Sequence, residues 1–293
     1  AAITDGANPA IHIIRNDTAG ATLTVTRCSF TLTSTAGIVL FSNVAGTWTV
    51  RQNIFAGTGA TYSVSLGTIN GSYNALLATA ASTVTGGRVT EKTAPQTYYI
   101  SAGMSIQDGI DAAAADTPVP AATVRYTVQV SPGLYTEALT MSAFVDVIGL
   151  GTREDVIVRQ ADATVVTGAA NCVLENVTVD LNAPTAARNM IIDNLVVLAN
   201  FRVRNCILTI TTPGGFAHRV LHLTAASTVE FDGNAADIGG GASVILNVEA
   251  AATLTVRNCD LIITTGTGFI LRSTAAGTTN LRENSFGGTG AVY

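Results

Sequence analysis

The sequence predicts an all-β fold: a right-handed parallel β-helix with a short capping α-helix, preceded by a partial β-helical N-terminal region. Three observations carry this. The stretch Ala252 to Tyr293 lies without a gap on Ala21 to Tyr62, about 231 positions earlier, with about half of the positions identical. Inside each copy a period of roughly 25 residues recurs, the length that one coil of three short strands and their turns requires. The composition suits strands and tight turns: 47% of the residues are hydrophobic and 28 are Gly, whereas only 12% are charged and 6% aromatic.

Within the repeat, Leu254 and Val256 alternate with Thr255, Arg257-Asn258 interrupts, and Cys259, Leu261 and Ile263 resume the alternation. That pattern is a strand, a bend and a second strand with one face apolar throughout. Asn suits the bend because its short amide tolerates the left-handed backbone. Leu23, Val25, Cys28, Phe30 and Leu32 follow the same grammar, as do Phe201, Val203, Cys206, Leu208 and Ile210. Leu174, Val177, Val179 and Leu181 flank Asn176, and shorter versions sit at Trp48, Val50 and Phe55, at Val229 and Phe231, and at Leu281 and Phe286. The expectation is one inward column through Val203, Phe231, Val256 and Leu281, with Trp48 also facing inward.

Taken in order, residues 1–87 read as the tail of a β-helix that duplicates the C-terminal coils; Thr79 to Val84 repeats Thr224 to Val229 letter for letter. Gly86 and Gly87 end the pattern, and residues 88–104 read as a connector in which Pro95 discourages regular structure. The capping helix is expected over 105–116. Ser105 serves as its N-cap with Asp108 three residues on, Ile106, Ile110, Ala113 and Ala114 share a face, and Pro118 and Pro120 stop the chain. The β-helix proper is expected over 105–293. It opens with a strand at Tyr126 to Val130, a turn at Ser131-Pro132-Gly133 and the next coil at Leu139 to Leu150.

Several functions are disfavoured by composition and spacing. No run of 18 apolar residues predicts a transmembrane helix, and no basic start with an apolar core predicts a signal peptide. A net charge of −5 with Lys92 as the single lysine argues against nucleic acid. Cys28, Cys172, Cys206 and Cys259 read as small buried apolar residues, since no close pair suggests metal. His218 and His222 are four apart on a strand-like stretch, roughly 13 Å at about 3.3 Å per residue, too far to share an ion; His12 is isolated. Arg153-Glu154-Asp155 reads as a solvated turn, Asp5, Asp180 and Asp232 as single turn residues, and Asp237 as a carboxylate without a partner. Gly214-Gly215 and Gly239-Gly240-Gly241 read as turn glycines, lacking the strand-to-helix context of a phosphate loop.

The stretch Ser105 to Val158 resembles the opening of the pectinesterase and pectate-lyase-like right-handed parallel β-helices. It has SIQDGIDAA, then Pro132-Gly133-Leu134-Tyr135-Thr136-Glu137 after a strand, then Ile148-Gly149-Leu150-Gly151. The resemblance implies the fold and the capping helix. The pectinesterase motifs QAVAL, QDTL, DFIFG and LGRPW are not matched: their places hold Ala187 to Ile191, Leu208 to Thr212 and Ala235 to Gly239, and the last has no equivalent. No catalytic, cofactor-binding or metal-binding residue is therefore assigned. A charge-poor β-helix of this kind is similar to the decoration, fibre and tail proteins of bacteriophage virions and to secreted filament proteins. That similarity implies a structural role at a virion surface or outside the cell, with the chain associating with itself as a trimer or end to end, and with other virion proteins such as a capsid protein. The alternative is a polysaccharide lyase, a glycoside hydrolase or a glycan-binding protein with a surface glycan as ligand.

Overall fold

The structure is a computed structural model, which describes residues 2–4, 12–33, 37–80, 83–84, 88–193, 196–211, 214–239, 241–264 and 268–288. The fold is all-β, a parallel β-solenoid that is 56% strand and 4% helix. The chain divides into two compact units, Ala1–Ala113 and Ala114–Tyr293.

In the second unit each coil contributes a strand to each of three parallel sheets, or faces, except the last, whose described strands belong to faces one and two. Face one stacks Tyr126–Val130, Val145–Gly149, Val173–Glu175, Phe201–Arg204, Thr228–Asp232, Thr253–Arg257 and Thr278–Arg282. Face two runs from Gly133–Thr136 to Ser285–Gly288, and face three from Leu139–Thr140 to Phe269–Ser273. The inward column is present as expected: Val203 lies against Phe231, Phe231 against Val256 and Val256 against Leu281. Val147 and Leu174 extend it upward. Alternation places these side chains inside, and Val147, Leu174, Val203, Phe231 and Val256 are fully buried. Burying such a side chain stabilises by roughly 1.5–3 kcal/mol, so stability accrues coil by coil.

The bend between faces one and two is a left-handed residue in most coils, Gly233 included; the coil that opens with Tyr126–Val130 turns through Ser131-Pro132 without one. Asn176, Asn205 and Asn258 take it as expected, but so do Arg27, Gln52, Tyr73 and Glu283. What holds the conformation is shared backbone chemistry. The bend N–H donates to a carbonyl one coil on, from Asn176 to Arg204, Asn205 to Asp232 and Asn258 to Arg282. In the first unit the same bond runs from Arg27 to Arg51, Gln52 to Ser72 and Tyr73 to Lys92. A bond so regular offsets the roughly 1–2 kcal/mol that a left-handed L-residue costs.

The first unit repeats the architecture. Ala21–Thr26, Gly46–Arg51, Thr68–Ser72 and Arg88–Ala94 stack in parallel. The 11-residue strand Ile54–Val64 lies first beside Ser29–Leu32 and then beside Ile38–Ser42. Trp48 is fully buried. Residues 88–104, expected as an irregular connector, instead hold Arg88–Ala94 paired antiparallel with Thr97–Ile100. Pro95 occupies the turn between them, where a missing N–H removes no ladder bond. The helix spans Ile106–Ala114, with the Ser105 hydroxyl accepting from the Asp108 N–H at 3.1 Å. Its Ile106, Ile110 and Ala113 are buried.

In the stretch that carried the family resemblance, Gly133–Thr136 is a strand of face two where a turn was expected. Tyr135 points inward and its hydroxyl donates to the Ser131 carbonyl at 2.9 Å. Gly149 has a steric reason: a Cβ there would overlap the carbonyl oxygen of Asn176 in the next coil. Gly149→Ala is expected to cost about 2–3 kcal/mol, because backbone and not a flexible side chain must give way. A denaturation midpoint within error of the parent would contradict this.

Candidate functional site: the coil edges and the charged face

The residue that follows the bend builds a polar column inside the apolar stack. In one copy of the duplicated block, the Cys28 N–H donates to Asn53 Oδ1 at 2.9 Å and Asn53 Nδ2 to the Val25 carbonyl at 3.0 Å. In the other, the Cys259 N–H donates to Asn284 Oδ1 at 3.0 Å and Asn284 Nδ2 to the Val256 carbonyl at 3.0 Å. The duplication thus extends to individual hydrogen bonds. Asn234 repeats them with Cys206 and Val203, at 2.8 and 2.9 Å. Each side chain stands in for a peptide group and joins two coils.

In the first unit the column ends on an acid. Asn53 N–H donates to Asn74 Oδ1 at 2.9 Å, and Asn74 N–H to Glu91 Oε1 at 3.0 Å. Glu91 is fully buried and pairs in register with Gly71, where a Cβ would overlap its carboxylate. The Tyr62 hydroxyl donates to Glu91 Oε2 at 3.2 Å. Burial pushes the carboxyl up to about 7 despite the bonds from Asn74 and Tyr62 that favour its charged form.

Among the described residues, Thr278–Arg282 and Ser285–Gly288 have a strand neighbour on one side only. Leu281 and Phe286 are half-buried there, although their counterparts one coil earlier, Val256 and Leu261, are fully buried. In the first unit Ala21–Thr26 likewise has Gly46–Arg51 as its neighbour, and Leu23 is half-buried where Trp48 is sealed. Among the described residues these edges carry apolar side chains and no second strand neighbour.

The outer side of face one in the second unit carries a concentration of charge. Register stacks Arg202, Glu230, Thr255 and Asn280 in one column, and Glu175, Arg204, Asp232, Arg257 and Arg282 in the next. Arg202 and Arg204 each reach Glu230 at 3.3 Å; Arg257 bonds to Glu230 and reaches Asp232 at 3.0 Å. A cavity of about 300 Å³ lies over this face, lined by Asn200, Arg202, Thr228, Glu230, Thr255 and Arg257 among others. Asp232 and then Glu230 raise the Arg257 pKa, holding its guanidinium charged. Nothing in the linear sequence marked this cluster, whose members are 25 to 29 positions apart along each column. The sole available signal was charge recurring at the repeat length.

The residues singled out from sequence are distributed as follows. All four cysteines are free thiols; Cys172, Cys206 and Cys259 are buried and Cys28 is half-buried. Burial pushes Cys172 and Cys206 up to about 12 and Cys259 to about 11, so they are packing groups rather than nucleophiles. His12 stacks on Phe41 at 4.1 Å. His218 and His222 are both buried. The Glu249 carboxylate lies 3.2 Å from His222 Nε2 but off the hydrogen-bond direction, and both ring nitrogens lack a hydrogen bond. Arg153 pairs with Glu154 of its own triplet at 3.5 Å and also donates to the Gly233 carbonyl at 3.2 Å. Asp180 and Asp232, expected as single turn residues, are strand residues in ion pairs, Asp180 with Arg159 at 2.6 Å. Their partners come from adjacent coils, which sequence proximity cannot show. Asp237 is exposed on face two. Asp5, Gly240 and Thr212 lie outside the described residues. Among the described residues, no group of three or more His, Cys, Asp or Glu could hold a metal ion.

Aspartate also staples coils. Asp193, fully buried, accepts from Thr224 N and Oγ1 and from Ala225 N at 2.5–2.7 Å. Asp180 and Asp162 bind Thr211 and Thr185 in the same manner.

Together these features define a parallel β-solenoid whose polar groups largely join coil to coil, with a charged outer face and open strand edges. No known protein family, characterised protein or solved structure matches the chain.

Proposed function

We propose that this chain is a non-enzymatic structural protein that associates with further copies of itself through its coil ends. The setting we propose is a bacteriophage virion surface, as a capsid decoration, tail fibre or spike, or an extracellular filament. The observation that carries the reading is the charge-poor stack itself, whose polar groups largely join coil to coil; among the described residues the face-one strands Thr278–Arg282 and Ala21–Thr26 also have a neighbour on one side only. Pairing such edges joins apolar area to backbone hydrogen bonding, and a head-to-tail contact propagates unless its rotation closes. The phage setting rests on resemblance in composition and repeat pattern. Light scattering across a concentration series tests the association: mass is expected to rise with concentration, and monomer alone at the highest concentration would overturn it.

A second reading, glycan binding or cleavage, is favoured by the charged cavity on face one, where arginine, asparagine and threonine side chains converge. Incubation with a panel of acidic polysaccharides, followed by binding and reducing-end assays, separates it from the first.

A further inference from the structure

The charged cavity on face one holds more donors than acceptors, and from that excess we infer a ligand: a tetrahedral oxyanion, phosphate or sulfate, free or as a monoester on a larger molecule. It seats between Arg202 and Arg257, with the hydroxyls of Thr228 and Thr255 as further donors. The same cavity favours the glycan reading, but here the anion is recognised whether or not a sugar carries it.

The guanidinium groups of Arg202, Arg204 and Arg257 meet two carboxylates, those of Glu230 and Asp232. One positive charge is left over. The donor excess is larger still, because each guanidinium has five N–H groups whereas a carboxylate accepts at about four sites. Arg204 Nε and Arg257 Nε are buried without a hydrogen bond, so the two acids do not satisfy the cluster. Glu230 is the one carboxylate among the described lining residues, and both its oxygens are engaged, Oε2 by Arg202 and Arg204 and Oε1 by Arg257. The side chains of Arg202 and Arg257 remain 43% and 42% exposed against 22% for Glu230, so the cluster meets solvent mainly as guanidinium. The chain as a whole carries −5 and repels anions, which makes any affinity at this face local.

The arrangement selects among anions. Stacking puts Arg202, Glu230 and Thr255 in one column, with Arg257 two residues beyond Thr255 on the same strand. Neighbouring coils lie about 4.8 Å apart, so donors reach the cavity from three successive coils across about 10 Å. A carboxylate has two oxygens in one plane and is satisfied by a single guanidinium fork. Donors arriving from three coils suit a group whose oxygens point in several directions, as those of phosphate and sulfate do. At about 300 Å³ the cavity is at the small end of ligand sites, which fits an ion or a small ester.

Calorimetric titration of the full chain with inorganic phosphate and with sulfate, in chloride buffer of constant ionic strength, is expected to show saturable binding at one site. Acetate is expected to bind on the order of tenfold more weakly. Thr255 is half-buried and lines the cavity, so Thr255→Glu spares the core, leaves the arginines in place and puts a competing carboxylate where the anion sits. Its affinity for phosphate and sulfate is expected to fall on the order of tenfold or more. Thr255→Gln, of equal length and neutral, separates charge from bulk and is expected to bind as the parent does. A monosaccharide sulfate distinguishes the source: tighter binding than inorganic sulfate identifies an ester, weaker binding a free ion. Acetate binding as tightly as sulfate, or equal binding by Thr255→Glu and Thr255→Gln, overturns the assignment. Binding of the unsulfated sugar without phosphate or sulfate overturns it and leaves the glycan reading standing. No binding of either ion overturns it whatever the polysaccharide panel shows.

Discussion

Raising the pH through the window from 4.5 to about 7 is expected to weaken the Ala1–Ala113 unit, because Glu91 keeps its proton in the folded state across that interval. In the unfolded chain the carboxyl ionises at its ordinary 4.5, whereas buried in the column it ionises near 7. Between those values the folded state binds the extra proton, so its stabilising effect is complete below 4.5 and is lost as pH rises through 7. At about 1.36 kcal/mol per unit, the difference between the two ends of the window is roughly 3 kcal/mol. The carboxylates of Asp162, Glu154 and Glu249, held low mainly by hydrogen bonds, have the opposite slope, their stabilisation fading as pH falls. They belong to the other unit.

Trp48, the single tryptophan, is buried in the first unit and reports its unfolding by fluorescence. Urea titrations at a series of pH values should show the midpoint falling toward neutrality. Glu91→Gln, which retains an acceptor for Asn74 but cannot ionise, should flatten the profile. A slope that survives in Glu91→Gln would assign the effect to another group.

The second large effect is expected at Asn234. Asn234→Ala leaves the Cys206 N–H and the Val203 carbonyl unpaired inside the stack. At about 1–3 kcal/mol for each of the two buried orphans, the loss is roughly 2–6 kcal/mol. Asn258→Ala provides the comparison. Asn258 is exposed at the left-handed bend, φ 53°, and its side chain reaches Asp232 at 3.0 Å. Its replacement is expected to cost only about 1 kcal/mol, the preference of Asn over Ala for that backbone. Denaturation followed by far-ultraviolet circular dichroism ranks the two, and equal losses would show that the inner column contributes nothing beyond the bend.

That contrast shows how far the residues could be read in line. Asn258 was legible because a bend interrupting an alternating strand demands a left-handed residue, a local requirement. Asn234 was not, because its work is done on Cys206 and Val203, 28 and 31 positions earlier. The Val203, Phe231, Val256 and Leu281 column was legible for a different reason: period-2 alternation fixes which side chains face inward, and the repeat length brings like positions together. The hairpin of Arg88 to Ile100 is not legible in line, because a proline such as Pro95 reads locally as a breaker, although at a hairpin turn it disrupts no ladder.

The candidate site was hidden more deeply. Glu91 sits on the solvent-poor side of its strand only because Gly71 beside it leaves space, and Glu230 gathers three arginines only because stacking aligns them. Sequence alone determined the coil, its inward face and the duplication, since each depends on residues near in the chain or on a fixed period. Tertiary structure alone decided which polar groups meet and which acid is buried, because those depend on the lateral offset between coils, and stacking sets that offset.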